Sequence, residues 1–393
     1  MSGSDVIGVG LIGLGTVGGG VAQLLKANEA LYEKRCGKRI EVRGVLVRNV
    51  EKARASGLVA ADLITDDVEA FFGMSDVDVV AELAGGIDKA GGYVRRAISS
   101  GRHVVTANKA LLAAEGAELF GVARQAGVAI GFEASCAGGI PCITALQYGL
   151  MANRIEGLMG ILNGTCNYML TEMKQAGKSY EQALADAQAE GYAEADPTLD
   201  VTGRDAADKL AILSSLAFGE RVSSDQVSSI GIDGLEADDV RVGASAGFDL
   251  KLLGVARPVD GGGLSLMVEP CYVPASGVLA GVKGAFNALL VEGDAVGQVM
   301  LYGPGAGRGP TASAVVSDLL NVANGWAVRA SVGMGLTPDA YEDAQVVPAE
   351  QRRGDFAVRA SGSQDLMVYR DLTAGEAAAK AGGGRVLRVM EGV

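Results

Sequence analysis

Histidine is almost missing from this chain: His103 is the only one in 393 residues. A lone imidazole at the head of an apolar run reads as a structural residue. It argues against histidine-built triads and histidine-rich metal sites. Cysteine is scarce too. The five cysteines are scattered, odd in number and form no CxxC pair, which excludes a disulfide scaffold and points to a reduced, cytoplasmic protein. Positive charge is outweighed, with 34 Lys+Arg against 47 Asp+Glu and a net charge of −13. With no basic block, neither nucleic acid nor an anionic membrane is expected as a partner. No apolar run is long enough to span a bilayer, and Val6 to Leu14 lacks the basic lead of a signal peptide. Aromatics make up 5% against 49% hydrophobic residues, so the core must be mainly aliphatic. The length suits two domains.

What is present begins at the N-terminus. Val6 to Leu14 is an apolar, glycine-punctuated run that fits a buried parallel strand. It leads into Gly13-Leu14-Gly15-Thr16-Val17-Gly18, then a helical pattern through Val21, Leu24 and Leu25. This is GxGxxG between a strand and a helix, the context that dinucleotide binding requires. A glycine-rich turn of some other α/β fold is the alternative. The second strand, Glu41 to Val47, ends in Val47-Arg48-Asn49, with no carboxylate until Glu51. An acid there would hold ribose hydroxyls, whereas Arg48 can hold a 2′-phosphate, so NADP(H) is preferred and NAD(H) is the second choice. A surface arginine is the plain reading of the same residue. A further strand, Val77 to Leu83, runs into Ala84-Gly85-Gly86, small residues that let a nicotinamide lie against the backbone. His103 to Thr106 leads to Lys109, just past a strand end, where open α/β sheets bind ligands.

The segment from Gly160 to Gly219 carries the reactive groups. Glu194, Asp196, Asp200, Asp205, Asp208 and Lys209 crowd around a proline-containing turn and the start of a helix that ends at Gly219. Asp205 and Lys209 are four apart and share one helix face. A lysine among carboxylates can move a proton to or from an alcohol, while the acids bind a cationic group. A solvated acidic helix start is the plainer alternative. Asn163-Gly164-Thr165 heads another helical pattern, where exposed N–H groups suit a carboxylate or serve only as a helix cap. Together these groups fit a small amino acid with a reacting oxygen.

Alternating strand and helix patterns run to about Phe132. Helices dominate Tyr168 to Ala217, and glycine-punctuated strands follow at Leu264 to Val273 and Ala295 to Tyr302. Pro310 to Ala323 reads as a helix with proline in its first turn. Phe356 to Ala360 and Arg385 to Val389 look like short strands. The expected fold is α/β: a Rossmann dinucleotide-binding domain over residues 1–135, completed by 303–340, then a second α+β domain over 136–302 and a short tail over 341–393. Glu133 opens a bent small-residue loop ending at Pro141, which can offer carbonyl oxygens to a hard cation or act as a hinge. Cys136 has no histidine nearby to activate it, so it reads as a small buried residue.

These residues resemble the homoserine dehydrogenase family. The segments that carry the likeness are NGTCNYML, AQAEGYAEADPTLDVTGRDAADKLAIL, TANKALL and GPGAGRGPTASAVVSDLL. The resemblance covers residues 6 to 340. It implies NAD(P)-dependent interconversion of L-homoserine and L-aspartate 4-semialdehyde, in threonine, methionine and isoleucine biosynthesis, by a homodimer or homotetramer whose second domain also dimerises. By resemblance, Lys209 is the proton carrier and Lys109 the second active-site lysine near the nicotinamide. Glu194, Asp200 and Asp205 bind substrate, and Gly164 and Thr165 seat its carboxylate. Glu133, with the carbonyls of Cys136, Gly138 and Ile140, resembles the family's site for Na+ or K+. Cys136 stands where many relatives have an apolar residue, which a carbonyl ligand tolerates. Many bacterial relatives continue into an ACT regulatory domain. The stretch after Gly354 is too short for a complete one and lacks its usual opening. Two other classes stay open: a semialdehyde enzyme using a cysteine thioester, and a silent nucleotide sensor.

Overall fold

The computed structural model describes residues 5–391. Packing divides the chain into two units that its sequence interleaves. The first comprises residues up to Met151, Gly219–Arg221 and Ala306–Glu342. The second comprises Ala152–Phe218, Val222–Gly305 and residues from Asp343 onward. By packing, residues 136–151 fall with the first unit. The stretch from Asp343 packs with the second unit.

Six parallel strands build the first unit: β1 (Val6–Ile12), β2 (Arg39–Leu46), β3 (Ile64–Thr65), β4 (Val79–Glu82), β5 (His103–Thr106) and β6 (Ile130–Gly131). Their order is β3-β2-β1-β4-β5-β6, the doubly wound arrangement expected from the N-terminal pattern. Val9, Leu11, Val45, Val79, Ala81 and Val105 are fully buried, as strands covered on both faces require. The helix Arg308–Ala323 closes this core by packing Ala312, Val315 and Leu319 into the cluster around Val9, Leu11 and Val21. His103 is structural, as its position suggested. It is buried, its Nδ1 accepts from Ala129 N at 3.0 Å, and burial lowers its pKa.

The second unit is a mixed sheet with helices. Its long strands are β7 (Ile155–Ile161), β8 (Phe248–Pro258), β9 (Leu264–Pro274), β10 (Phe286–Gly293), β11 (Gly297–Pro304), β12 (Arg353–Arg359), β13 (Met367–Thr373) and β14 (Arg385–Val389). They run in the order β11-β10-β7-β8-β9-β14-β12-β13. Neighbours are antiparallel except β9 and β14. Helices Gly164–Ala176 and Arg204–Phe218 pack against the central strands. The C-terminal strands carry a small core of their own, Phe356, Val358, Ala377 and Ala381. They are tied to the rest by charge. The Asp239 side chain is fully buried and takes Arg359 at 2.7 Å and Arg385 at 2.9 Å. Arg388 pairs with Glu269. Among the described residues, no helix is long and apolar enough to cross a membrane.

Candidate functional site

The GxGxxG segment adopts the geometry its glycines permit. Gly13 directly follows β1 with φ +99, a left-handed value that disfavours any side chain, and its N–H donates to Leu46 O at 2.9 Å. A Cβ on Gly18 would lie 2.1 Å from Gly13 O, whereas one on Gly15 would meet nothing within 4 Å. The turn is thus packed on its inner side and open where a pyrophosphate would approach. The helix Thr16–Ala27 starts there with no side-chain cap, so Thr16, Val17 and Gly18 lie in a first turn whose N–H groups suit an anion. These residues fit a dinucleotide.

The other nucleotide residues lie at strand ends of the same sheet. Arg48 follows β2 and is exposed, beside Asn49, which caps the next helix by accepting from Lys52 N at 2.8 Å. Ala84 and Gly85 follow β4 and are exposed, and Gly85 has φ +73. Lys109 is the first residue of the helix Lys109–Gln125, capped by Asn108. Sequence reasoning passed over Glu82. Its carboxylate is fully buried and accepts from Ala84 N, Gly85 N, Thr106 Oγ1 and Asn108 Nδ2 at 2.9–3.2 Å. At a strand end it looked like part of an apolar run.

In the second unit the reactive groups gather around Asn163. Its side-chain oxygen caps the helix Gly164–Ala176 by accepting from Cys166 N at 2.8 Å. Its Nδ2 donates to Asp200 Oδ1 at 2.7 Å and Asp205 Oδ2 at 2.9 Å. Asp205 opens the first turn of the helix Arg204–Phe218, and Lys209 follows one turn later. Lys209 Nζ donates to Asp205 Oδ2 and to Leu162 O, both at 2.8 Å. Asn287 Nδ2 donates to the same Leu162 carbonyl at 3.0 Å. The Lys209 and Asp205 side chains are 12% and 10% exposed, so this is no solvated surface pair. Gly164 and Thr165 head the capped helix, and Thr165 Oγ1 donates to Tyr192 O at 2.7 Å.

Other acids of this segment lie outside that hydrogen-bond set. Asp196 accepts from Thr198 N and Oγ1, and the Thr198 side chain lowers its pKa. Asp208 sits 3.6 Å from Arg204. Glu194 is exposed on the loop between the helices Tyr180–Ala189 and Thr198–Val201, outside the Asn163 set. Asn163 and Asn287 are the partners sequence reasoning had not placed. Asn163 read there only as a cap, and Asn287 is distant in sequence.

Glu133 is buried in the first unit. Its carboxylate accepts from Ile143 N, Thr144 N and Thr144 Oγ1 at 2.5–2.8 Å, and its own N–H donates to Asp318 Oδ2 at 2.8 Å. Burial raises the pKa of both Glu133 and Asp318. No lysine or arginine pairs with either among the described residues. The loop beyond bends through left-handed Ala137 and Gly138, at φ 51 and 55. Ile140 O accepts from Cys142 N at 2.8 Å, which leaves one lone pair of that carbonyl. A buried carboxyl beside a sharply bent run of carbonyls is an oxygen-rich setting of the kind a hard monovalent cation takes, although no group of three or more acidic, cysteine or histidine side chains gathers there among the described residues. Cys136 is fully buried, as expected of a packing residue.

Comparison with known proteins sets this geometry in context. The family profile described as homoserine dehydrogenase matches residues 141–320, and that of its NAD-binding domain matches 13–133. A homoserine dehydrogenase of Pseudomonas aeruginosa is 44% identical over 359 residues, which is 89% of this chain and 81% of that one. One from Bacillus subtilis is 42% identical, over 86% of this chain and 76% of its own. Among solved structures, a homoserine dehydrogenase from Thiobacillus denitrificans is 38% identical over the full length of both chains, with a TM-score of 0.89. One from S. aureus is 33% identical over 99% of each chain, with a TM-score of 0.77.

Proposed function

Because this chain belongs to the homoserine dehydrogenase family, we propose a division of labour for the groups just described. The enzyme is an NAD(P)-dependent oxidoreductase acting on a CH–OH group, and it interconverts L-homoserine and L-aspartate 4-semialdehyde. The observation that carries the residue assignment is the Asn163–Asp205–Lys209 set. When bound, the nicotinamide would supply hydride acceptance from, or donation to, the reacting carbon of the substrate. In oxidation, the neutral amine of Lys209 takes the hydroxyl proton as the C–O bond becomes a carbonyl. In reduction, its ammonium returns that proton to the oxygen. Asp205 and Leu162 O hold Nζ in place for both directions. Gly164 and Thr165 N–H groups seat the substrate carboxylate. Asp200, Asp205 and Glu194 receive its ammonium. Glu194 is exposed on its loop.

Lys109, at the head of its helix, is the second active-site lysine. Gly13 to Gly18 bind the pyrophosphate, and Ala84 and Gly85 lie against the nicotinamide. Arg48, exposed and followed by no acid until Glu51, favours NADP(H) over NAD(H). Glu133 and the carbonyls of Cys136, Gly138 and Ile140 hold Na+ or K+. The assembly is a homodimer or homotetramer. Supporting this, β11 is an outer strand, and its exposed Tyr302 stacks on exposed Phe286 of β10. Five cysteines, none in a disulfide among the described residues, suit a cytoplasmic location. A thioester mechanism is disfavoured by the burial of Cys136.

The test is an absorbance assay of homoserine oxidation with NADP and NAD side by side, in potassium, sodium or choline chloride. NADP should give the higher kcat/KM, and choline the lower rate. Equal rates with both nucleotides would remove the Arg48 assignment, and a rate indifferent to the cation would remove the Glu133 site.

A further inference from the structure

Glu82 is a carboxylate in the wrong place for a packing residue. It ends β4 beside β1, at the point where strand order reverses and open parallel sheets take their ligands. It is 0% exposed, and no lysine or arginine pairs with it among the described residues. Such a group is costly to bury unless its oxygens are filled by hydrogen bonds. Here both are filled, from two different elements. Oε1 accepts from Ala84 N at 2.9 Å and Gly85 N at 3.0 Å, the turn after β4. Oε2 accepts from Thr106 Oγ1 at 2.9 Å and Asn108 Nδ2 at 3.2 Å, the turn after β5.

The two turns are further linked through the residues Glu82 touches. Asn108 Nδ2 also donates to Gly86 O at 2.6 Å, Asn108 N donates to Thr106 Oγ1 at 3.1 Å, and Asn108 Oδ1 accepts from Leu111 N at 3.2 Å. That last bond caps the helix whose first residue is Lys109. Gly85 and Gly86 have φ of +73 and +84, and a Cβ on either would meet nothing within 4 Å. The turn's side-chain hydrogen bonds come from within: Glu82 accepts from Ala84 and Gly85, and Asn108 donates to Gly86.

We infer that Glu82 is a positioning residue that locks the Ala84–Gly86 turn and the Asn108 cap of Lys109's helix into one arrangement, holding the nicotinamide end of the cofactor site. The inference rests on the reading that nicotinamide lies against Ala84 and Gly85. Glutamine cannot replace the carboxylate. Its amide nitrogen must face one pair of donors, either the two backbone N–H groups or Thr106 and Asn108.

The experiment compares two ligands on the full chain. 2′-Phospho-ADP-ribose lacks nicotinamide and reports only the Gly13–Gly18 end, whereas NADPH reports both ends. For Glu82→Gln, NADPH should bind or turn over about 10- to 100-fold less well while 2′-phospho-ADP-ribose affinity holds within about twofold. Glu82→Asp, which keeps the charge but withdraws it from the turn, should show the same split and serves if the glutamine variant does not fold. Equal weakening of both ligands in both variants would make Glu82 a general structural residue and overturn the inference. No change in either ligand would overturn it too. Ala84→Val separates the underlying reading, since it crowds the outer face of the turn without touching the network. If that variant impairs NADPH while the Glu82 variants do not, the nicotinamide reading stands and the role of Glu82 falls. If all three are silent towards NADPH, the nicotinamide reading itself fails.

Discussion

Replacing Lys209 with methionine removes the ammonium and keeps most of the aliphatic stem. Nζ donates to Leu162 O and Asp205 Oδ2, both at 2.8 Å, and the side chain is only 12% exposed. Neither acceptor is stranded by the change. Leu162 O keeps Asn287 Nδ2 at 3.0 Å, and Asp205 keeps Asn163 Nδ2 at 2.9 Å. The stability loss should therefore be modest, about 1–2 kcal/mol, the net worth of hydrogen bonds to a charged donor. Turnover is different, because no second group in the Asn163 set can carry a proton in the same way. A positioned acid–base group contributes about 10²–10⁴-fold. The variant should thus lose at least about 100-fold in kcat, which is roughly 2.7 kcal/mol of barrier, with nucleotide affinity unchanged. Lys209→Arg keeps a cation but cannot give up its proton at neutral pH, so it should fail as well. Initial rates of reduced-nucleotide appearance, with calorimetric nucleotide binding as the folding control, decide the matter. If the folded methionine variant turns over at the wild-type rate, Lys209 carries no proton and the reading of the Asn163 set is wrong.

Further outcomes can be measured. Arg48→Ala should weaken NADP binding by about 1–3 kcal/mol and leave NAD nearly untouched; equal losses in a titration of both would show that Arg48 does not sense the 2′-phosphate. Lys251 is buried, with its pKa lowered by burial to about 8, and it donates to Asn167 Oδ1 at 3.1 Å. Its folded pKa lies below its unfolded value, so between about pH 8 and the ordinary lysine range the unfolded chain binds more protons and stability rises with pH. The stability of wild type relative to Lys251→Met, measured by urea unfolding at pH 7 and pH 10, should therefore increase by about 2–3 kcal/mol; a flat difference would contradict the shift. Asp239→Ala leaves Arg359 and Arg385 without their buried partner and should lower stability by about 3–5 kcal/mol in the same unfolding assay, with far less effect expected if those pairs were ornamental.

Features written locally in the chain were legible. The strand, turn and helix around Gly13 to Gly18 follow from adjacent residues, and four of the six strands of that sheet were read, whereas the two-residue strands β3 and β6 are too short to show a pattern. Helix Arg204–Phe218 and helix Arg308–Ala323 were expected within a few residues of where they lie. Asp205 and Lys209 meet because a helix turn brings them together. Less visible were features that depend on distant partners. Asp318 lies 185 residues from the Glu133 N–H it accepts, and no pattern in either helix or loop announces the pairing. Glu82 is filled by donors from residues 84, 85, 106 and 108, which only the parallel pairing of β4 with β5 brings together. β13, Met367–Thr373, escaped notice because it is an outer strand, largely exposed along its length, and so lacks apolar alternation. β8 carries Asp249 and Lys251 inward, where charge normally marks the surface, and that obscured a strand of eleven residues.

The interleaving of the two units bears on how the protein is made. A ribosome that has released β1 to β6 has not yet supplied Arg308–Ala323, whose Ala312, Val315 and Leu319 complete their core. The central strands β7 to β9 likewise appear well before β14, which pairs with β9 through Cys271 and Tyr272. Each unit therefore waits on sequence that lies beyond a stretch of the other. Nascent chains should spend much of synthesis with apolar strand edges uncovered, and their folding should be slow and dependent on holding chaperones. A library of C-terminal truncations stalled on the ribosome would reveal this as late gains of protease resistance, the first unit only once Arg308–Ala323 has emerged and the second only once β14 has.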